Sequence, residues 1–168
     1  MSGESPGYDR AKQTTGAKKE AWGQLLEELD ELAEDRQAEG WEVYPLRAGQ
    51  TDTVTKDMGE HDRFGLFHVL PKSDWQTFEE VYDEEEFTEY FVYGAAVEGS
   101  MFAVTEFLDT ENKCSIMIAN QYDMTRARGL AQNAMEEDEL YTYVRKIDGT
   151  IVGSFRHEEY EPLLAKPQ

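Results

Sequence analysis

The sequence predicts an α+β domain in which helices pack on the faces of a largely antiparallel β-sheet. An amphipathic helical segment comes first, and turn signals join most of the apolar segments that follow into hairpins. No strand–helix–strand alternation of the kind that builds a doubly wound parallel sheet is present. The predicted order is α-β-β-α-β-β-β-α-β-β. We expect one domain over residues 17–160, between an arm over 1–16 and a C-terminal tail over 161–168.

The N-terminal segments predict an arm and then a helix. The arm is rich in Ser, Gly, Thr and Gln without periodicity, so we expect it to be flexible. Apolar residues then recur at helical spacing from Ala17 to Glu39, and Gly40 is a natural stop. The other face of this helix is acidic, which indicates a core-facing helix with a solvated back. A partner-binding helix is the alternative.

The next segments predict two strands and a second helix. The segment Trp41–Leu46 predicts a strand, and Pro45 within it indicates that this strand lies at a sheet edge. The segment Phe64–Leu70 predicts a stronger strand. The polar stretch between them allows a further short strand around Thr53–Lys56. Ser73-Asp74-Trp75-Gln76 then matches a capping box, which indicates the start of the second helix.

The remaining elements are three strands, a third helix and a terminal hairpin, over Thr88–Val97, Met101–Leu108, Cys114–Tyr122, Met124–Asp138, Leu140–Ile147 and Thr150–His157. Glu98-Gly99 joins the first two of these strands as a short turn. Asp123 is placed to cap the helix. Asp148-Gly149 is a strong two-residue turn signal, and it fixes the predicted register of the terminal hairpin.

The charge of the chain excludes several classes of function. The 36 acidic residues outnumber the 16 basic residues and give a net charge of −20. A broad basic face for nucleic acid is therefore not expected, and neither is docking on an anionic membrane. The longest apolar run, Tyr90–Val97, has eight residues, whereas a membrane-spanning helix needs about 20.

The compartment that the sequence favours is the cytosol. The first residues show no basic-then-apolar signal pattern, so we do not expect secretion by that route. The single cysteine, Cys114, excludes an internal disulfide framework and any site with several cysteine ligands in one chain. We read Cys114 as a buried, inert thiol on a strand.

The acidity itself suggests a salt-rich setting. Dense surface carboxylates destabilise a compact state through self-repulsion, and at about 1 M salt the Debye length falls to about 3 Å, which screens that repulsion. We therefore expect a halophilic protein. Calcium buffering is the alternative, but no EF-hand loop is present.

Two stretches carry a resemblance to a known group of proteins. They are Glu39-Gly40-Trp41 and Lys146-Ile147-Asp148-Gly149-Thr150-Ile151-Val152-Gly153-Ser154-Phe155. With the acidity, they make residues 20–160 similar to small acidic proteins of haloarchaea grouped as a family of unknown function, a resemblance that brings no catalytic residues to transfer to this chain. The first eight predicted elements also resemble the roadblock or profilin-like order, in topology alone.

One loop contains the residues of a candidate catalytic or metal site. Phosphate-binding loops, dinucleotide fingerprints, HExxH and GxSxG motifs are missing, and we expect no cofactor and no metal. Glu60, His61 and Asp62, with Asp57 before them and His68 after them, nevertheless allow a cation site or an acid–base pair. We interpret the segment as a solvated loop, with a small hydrolase as the alternative.

Glu106 is out of place on an apolar strand face. If Glu98-Gly99 is a two-residue turn, Phe91 lies opposite Glu106, which shares its face with Phe102 and Val104. A carboxylate there is costly unless it is hydrogen-bonded or protonated. It either reaches Tyr93 or a loop at the sheet margin, or it marks a functional pocket.

The terminal hairpin provides the best candidate binding surface. Alternation predicts a core face of Leu140, Val144, Ile151 and Phe155, and an outer face of Tyr141, Tyr143, Arg145 and Arg156. Arg126 and Arg128 begin the preceding helix, where free N–H groups favour an anion. Arg and Tyr are enriched in interface hot spots. The alternative is that these arginines pair with nearby glutamates.

Three hypotheses of function follow from these features. The first is a non-catalytic cytosolic domain that binds a partner protein, a second copy of itself as a homodimer, or a small anionic ligand through the six Arg and Tyr residues. The second is the small hydrolase. The third is an accessory or immunity-like protein that acts by shape and charge.

Overall fold

The computed structural model describes residues 6–58 and 63–164, with side chains from Gly16 onward. Within those ranges the chain forms helices and strands in the predicted α+β class. The helices are α1 (Pro6–Ala38), α2 (Lys72–Val81) and α3 (Met124–Glu137), followed by a 3₁₀ helix (Glu161–Leu164). The strands are β1 (Glu42–Arg47), β2 (Gln50–Val54), β3 (Gly65–Val69), β4 (Glu89–Val97), β5 (Ser100–Asp109), β6 (Cys114–Asp123), β7 (Leu140–Arg145) and β8 (Ile151–His157).

The strands form two four-stranded sheets rather than one. Sheet A has the order β1-β6-β5-β4, and sheet B has the order β2-β3-β7-β8. Most pairs are antiparallel, as predicted, whereas β1 with β6 and β3 with β7 are parallel. Strand β2 overlaps the short strand that the sequence allowed around Thr53–Lys56, but it begins earlier, at Gln50.

The two sheets pack against each other, and α1 covers the opposite face of sheet A. The α1 interface consists of Leu25, Leu29, Ala33, Phe102, Val104, Met117 and Ala119. The core that joins the sheets includes Leu46, Phe78, Phe107, Ile116, Ile118, Val144 and Phe155. A further cluster anchors α3 to the starts of β3 and β7, and it includes Leu66, Ala127, Leu130, Ala134 and Leu140.

The first helix is longer than the sequence predicts. It begins at Pro6 rather than Ala17, so it includes residues 6–16 of the predicted arm, while residues 1–5 lie outside the described residues. Its predicted end is confirmed, because Gly40 has a φ of 92°, a left-handed conformation that glycine adopts without strain. None of the helices in the described ranges carries an apolar stretch long enough to cross a membrane.

The predicted capping box of α2 is wrong. The helix begins at Lys72 with Pro71 as its N-cap residue, so Ser73 lies inside the first turn and its side chain caps nothing. The Asp74 carboxylate instead accepts a hydrogen bond from the backbone N–H of Arg47 at 2.8 Å. This bond ties the start of α2 to the end of β1.

Glu106 docks α1 on sheet A. It is fully buried opposite Phe91, as the predicted hairpin register requires. Arg36 of α1 donates to both carboxylate oxygens, from Nε at 2.8 Å and from Nη2 at 3.0 Å. Tyr93 Oη donates at 2.9 Å and Ser115 Oγ at 2.7 Å. The expected contact with Tyr93 is therefore confirmed.

The charge state of Glu106 follows from these four donors. Burial alone would raise the pKa of its carboxyl, but the hydrogen bonds from Arg36, Ser115 and Tyr93 outweigh burial and hold that pKa below its usual value. The carboxylate is therefore ionised, and the ion pair with Arg36 is satisfied within the protein. Arg36 also lies over the Trp41 ring, 5.3 Å from its centroid.

We predict that Arg36→Ala lowers the free energy of unfolding by about 2–4 kcal/mol, because it leaves a buried carboxylate without its cation. Arg36 is itself partly exposed, which puts the expected loss toward the low end of the range for buried pairs. Denaturant titration in multimolar KCl measures the change.

Arg156→Ala is the matched control, since it removes an arginine whose ion pairs lie at the surface. It should cost less than about 1 kcal/mol. Equal losses in the two variants would show that the Arg36–Glu106 pair does not anchor α1.

Candidate functional site

Strand β7 presents two aromatic side chains and one cation on the outer side of sheet B. Leu140, Thr142 and Val144 are fully buried toward the core, so the residues between them point to the opposite face. These outward residues are Tyr141, Tyr143 and Arg145. On that face Tyr141 and Arg145 are partly exposed, whereas Tyr143 is buried by its neighbours.

The neighbouring strand β3 completes an aromatic floor beneath them. Phe67 lies opposite Tyr143 in the parallel pairing, and their rings stack at 4.4 Å between centroids with 25° between planes. Tyr141 stacks on Tyr143 at 5.8 Å, and Phe64 meets Tyr141 edge-on at 5.6 Å. Because these four rings contact one another in series, the floor is rigid.

Two arginines flank a pocket of about 250 Å³ beside this floor. Arg145 donates from Nη2 to Asp52 Oδ2 at 2.7 Å, and both side chains are partly exposed. Arg63, just before β3, lines the same pocket and lies near enough to Tyr143 to lower its pKa, although burial raises it more. We define the tyrosine–arginine face as Arg63, Phe67, Tyr141, Tyr143 and Arg145.

A β-bulge corrects one detail of the predicted hairpin. The register shifts between Val144 and Arg145, so Arg145 lies opposite Ile151 rather than Val152. Ile151 therefore lines the pocket with Arg145 instead of belonging to the core, while Val152 packs against the core. Bulges insert one residue and change which side chain faces which side, and Asp148-Gly149 alone did not reveal it.

Arg156 lies beside the tyrosine–arginine face, next to Tyr141, and nearby glutamates neutralise its charge. It is opposite Tyr141 and exposed, and its guanidinium donates to Glu139 and, at 3.1 Å, to Glu158. Its pKa is raised, first by the hydrogen bond to Glu139. The alternative that this arginine pairs with nearby glutamates is the one that the contacts show.

The two arginines of α3 do not join the face. Arg126 and Arg128 are exposed in the first turns of α3, and among the described residues no contact links them to Tyr143 or Arg145. The helix start that was expected to favour an anion is already capped, because Asp123 Oδ1 accepts from Thr125 N at 2.7 Å and from Arg126 N at 3.3 Å.

The alternative catalytic loop is only partly described. Glu60, His61 and Asp62 lie outside the described residues. Asp57 is exposed and accepts a hydrogen bond from Thr55, whereas His68 is fully buried and its Nδ1 lies 2.8 Å from Thr51 Oγ1. Within residues 6–58 and 63–164, no three His, Cys, Asp or Glu side chains converge as metal ligands would.

Two histidines lie between the sheets. His157 is buried, and its Nε2 lies 2.9 Å from Thr142 Oγ1. Burial lowers the pKa of His68 to about 4 and that of His157 to about 3, so both are neutral near pH 7. The sequence carried a signal for His157, since it follows Phe155 by two residues on a core-facing strand, but the signal was missed.

A larger cleft of about 920 Å³ lies between β4 and β8. Its lining includes aromatic core residues, Phe107 and Phe155, together with His157. Its charged lining is one arginine, Arg156, and four glutamates, Glu84, Glu89, Glu158 and Glu159. It meets the tyrosine–arginine face at Tyr141. This lining favours cationic rather than anionic groups, so the cleft and the pocket differ in charge preference.

A family model matches nearly the whole chain. The model of a family of unknown function (DUF7529) matches residues 8–165, which confirms the expected resemblance to such a family. No curated protein and no solved structure matches the chain. The haloarchaeal origin and the roadblock or profilin-like order therefore stay predictions.

We predict that the free energy of unfolding falls as the pH drops below about 6.5, the ordinary pKa of histidine. The unfolded chain binds protons there while His68 and His157 stay neutral in the fold, so stability is complete above pH 6.5 and declines toward pH 4. Each histidine contributes about 1.4 kcal/mol per pH unit well inside that window.

Denaturant titrations between pH 7 and about 5 isolate the histidines, because most surface carboxylates titrate lower. His157→Gln should roughly halve the slope of stability against pH. An unchanged slope in that variant contradicts the assignment.

Proposed function

The chain belongs to this family of unknown function, and we propose from its geometry that it is a non-catalytic, cytosolic binding module. Its ligand is a carboxylate-bearing segment of a partner protein, which it receives at the tyrosine–arginine face. The observation that carries the proposal is that Arg63 and Arg145 line one pocket beside the stacked rings of Phe67 and Tyr143.

The local charge supports an anionic ligand. In a chain of net charge −20, this pocket is lined by two guanidiniums and a single carboxylate, Asp52. Arg145 is paired with Asp52, whereas Arg63 makes no ion pair with any residue that the structure describes. Guanidinium groups bind carboxylates through two parallel hydrogen bonds, which makes a second carboxylate the natural ligand here.

The aromatic floor supports a protein ligand rather than a small ion. Phe67 and Tyr143 are nearly buried by each other and by their neighbours, and Ile151 and Val54 add apolar surface to the pocket. Interface hot spots combine rigid aromatic groups with arginine in this way. A free ion would use the guanidiniums and leave the apolar surface wet.

The hydrolase hypothesis draws less support from the geometry. His68 points between the sheets and is fully buried, with its Nδ1 engaged by Thr51. A general base needs to reach its substrate, and burial this complete separates His68 from any ligand at the surface. The other members of that hypothesis, Glu60, His61 and Asp62, lie outside the described residues.

We predict that a Glu-rich peptide with a central Tyr shifts the amide signals of Arg63, Phe67, Tyr143 and Arg145 in an NMR titration. Arg145→Gln should weaken binding by about 10- to 100-fold, since it removes a charge-assisted hydrogen bond. Asp52→Asn should tighten binding several-fold, because the competing carboxylate is gone. KCl is kept high enough to screen the acidic surface.

Arg126→Gln is the matched control, because Arg126 is exposed and does not line the pocket. It should leave the affinity unchanged. Inorganic phosphate, run in parallel, should bind more weakly than the peptide. The proposal is overturned if the peptide moves none of the four signals, or if the Arg126 and Arg145 variants lose affinity equally.

A further inference from the structure

Strand β4 is an edge strand with an open side. It has nine residues and pairs with β5 along its whole length, from Glu89 opposite Leu108 to Val97 opposite Ser100, without a bulge. No strand within the described residues pairs with its other side. A sheet edge of this kind presents a row of backbone donors and acceptors to any strand that approaches.

The turn before β5 shows which backbone groups point outward. Glu98 and Gly99 have φ values of 50° and 82°, which is the two-residue hairpin turn with both central residues left-handed. In such a hairpin the flanking pair, Val97 and Ser100, is hydrogen-bonded, and the bonded pairs alternate from there. The N–H and C=O groups of Val92, Gly94 and Ala96 therefore point to the open side.

Most of the open edge is free of charged residues. Tyr90–Val97 is a run of eight uncharged residues, in a protein where 31% of residues are charged. Gly94, Ala95 and Ala96 are exposed, and Phe91 is 49% exposed. Natural proteins seldom leave a long, uncharged edge uncovered, because it pairs with other chains.

The other three sheet edges each carry a feature that discourages pairing. Strand β1 contains Pro45, which lacks an N–H donor, and β2 has only five residues with Asp52 among them. Strand β8 contains a bulge. Tyr82 Oη also hydrogen-bonds to the backbone of Ser154, donating to its C=O at 2.6 Å and accepting from its N–H at 3.1 Å. Strand β4 has nine residues without a proline or a bulge, and its one acidic residue, Glu89, lies at its first position.

We propose that β4 pairs in antiparallel fashion with β4 of a second copy of this chain, so that sheet A continues across a two-fold axis. A register centred on Gly94 joins the outward groups of Val92 to those of Ala96 in the second copy, and sets Phe91 opposite Val97 of that copy. Every residue from Phe91 to Val97 is uncharged, so no two carboxylates face each other along this stretch.

Charge restricts where a second copy can approach. Two molecules of net charge −20 repel each other over most orientations, and the exposed back of α1 is densely acidic. Contact through β4 brings the uncharged stretches together, and Phe91 gains a β-branched partner across the axis. The edge shares no residue with the tyrosine–arginine face, so the dimer does not depend on the proposed function.

The test measures molar mass by light scattering in multimolar KCl over a range of protein concentrations. The wild type should approach twice the chain mass of 19.3 kDa. Ala96→Pro should weaken the dimer by about 10- to 100-fold, since symmetry removes two interchain hydrogen bonds. The monomer should tolerate this proline, because the lost N–H faces the open side.

Ala95→Lys is a second variant that blocks the edge by charge if the proline disturbs the fold. Met135→Lys is its matched control, since Met135 is 70% exposed on α3 and far in sequence from β4. The control should dimerise like the wild type, and so should Arg145→Gln.

Amide hydrogen exchange identifies the interface. Val92, Gly94 and Ala96 should exchange more slowly as the protein concentration rises. A wild type that stays at 19.3 kDa overturns the proposal. So does a dimer that survives both β4 variants, or one whose three amides stay unprotected, because another surface then forms the contact.

Discussion

Repulsion among carboxylates is the constraint on which this structure depends. The chain has 36 acidic residues and 16 basic ones, and α1 exposes a nearly continuous acidic back. The guanidinium that anchors α1 lies between the helix and sheet A, where Arg36 neutralises the buried Glu106. The exposed carboxylates outnumber the basic residues that could pair with them, so their mutual repulsion destabilises the fold as a whole.

The same repulsion makes surfaces with little negative charge the favoured sites for contact with another molecule. The pocket between Arg63 and Arg145 has two guanidiniums and one carboxylate, and the stretch Phe91–Val97 of β4 has no charged residue. They lie on different sheets and offer different chemistry, one a pair of cations beside stacked rings and the other an open backbone. Binding through one leaves the other available.

Local sequence patterns predicted the hairpins, but they did not predict the strand pairings between segments far apart in sequence. Opposition of Phe91 and Glu106 was predictable because the two-residue turn at Glu98-Gly99 fixes the register. The split into two sheets was not, since the parallel pairs β1–β6 and β3–β7 join segments far apart in sequence. Arg63 was missed for that reason, because only the β3–β7 pairing brings it beside Tyr143. Tyr141, Tyr143 and Arg145 followed from simple alternation.

Thermal unfolding as a function of KCl tests the central claim most directly, with the wild type compared to a variant in which Glu27, Glu28, Glu31 and Glu34 on the exposed back of α1 become Gln. If screening of carboxylate repulsion sustains the fold, as we propose, the wild-type Tm rises steeply from dilute buffer to multimolar KCl, and the variant reaches the same Tm at lower salt. A wild-type Tm that is equal in dilute buffer and in multimolar KCl contradicts it.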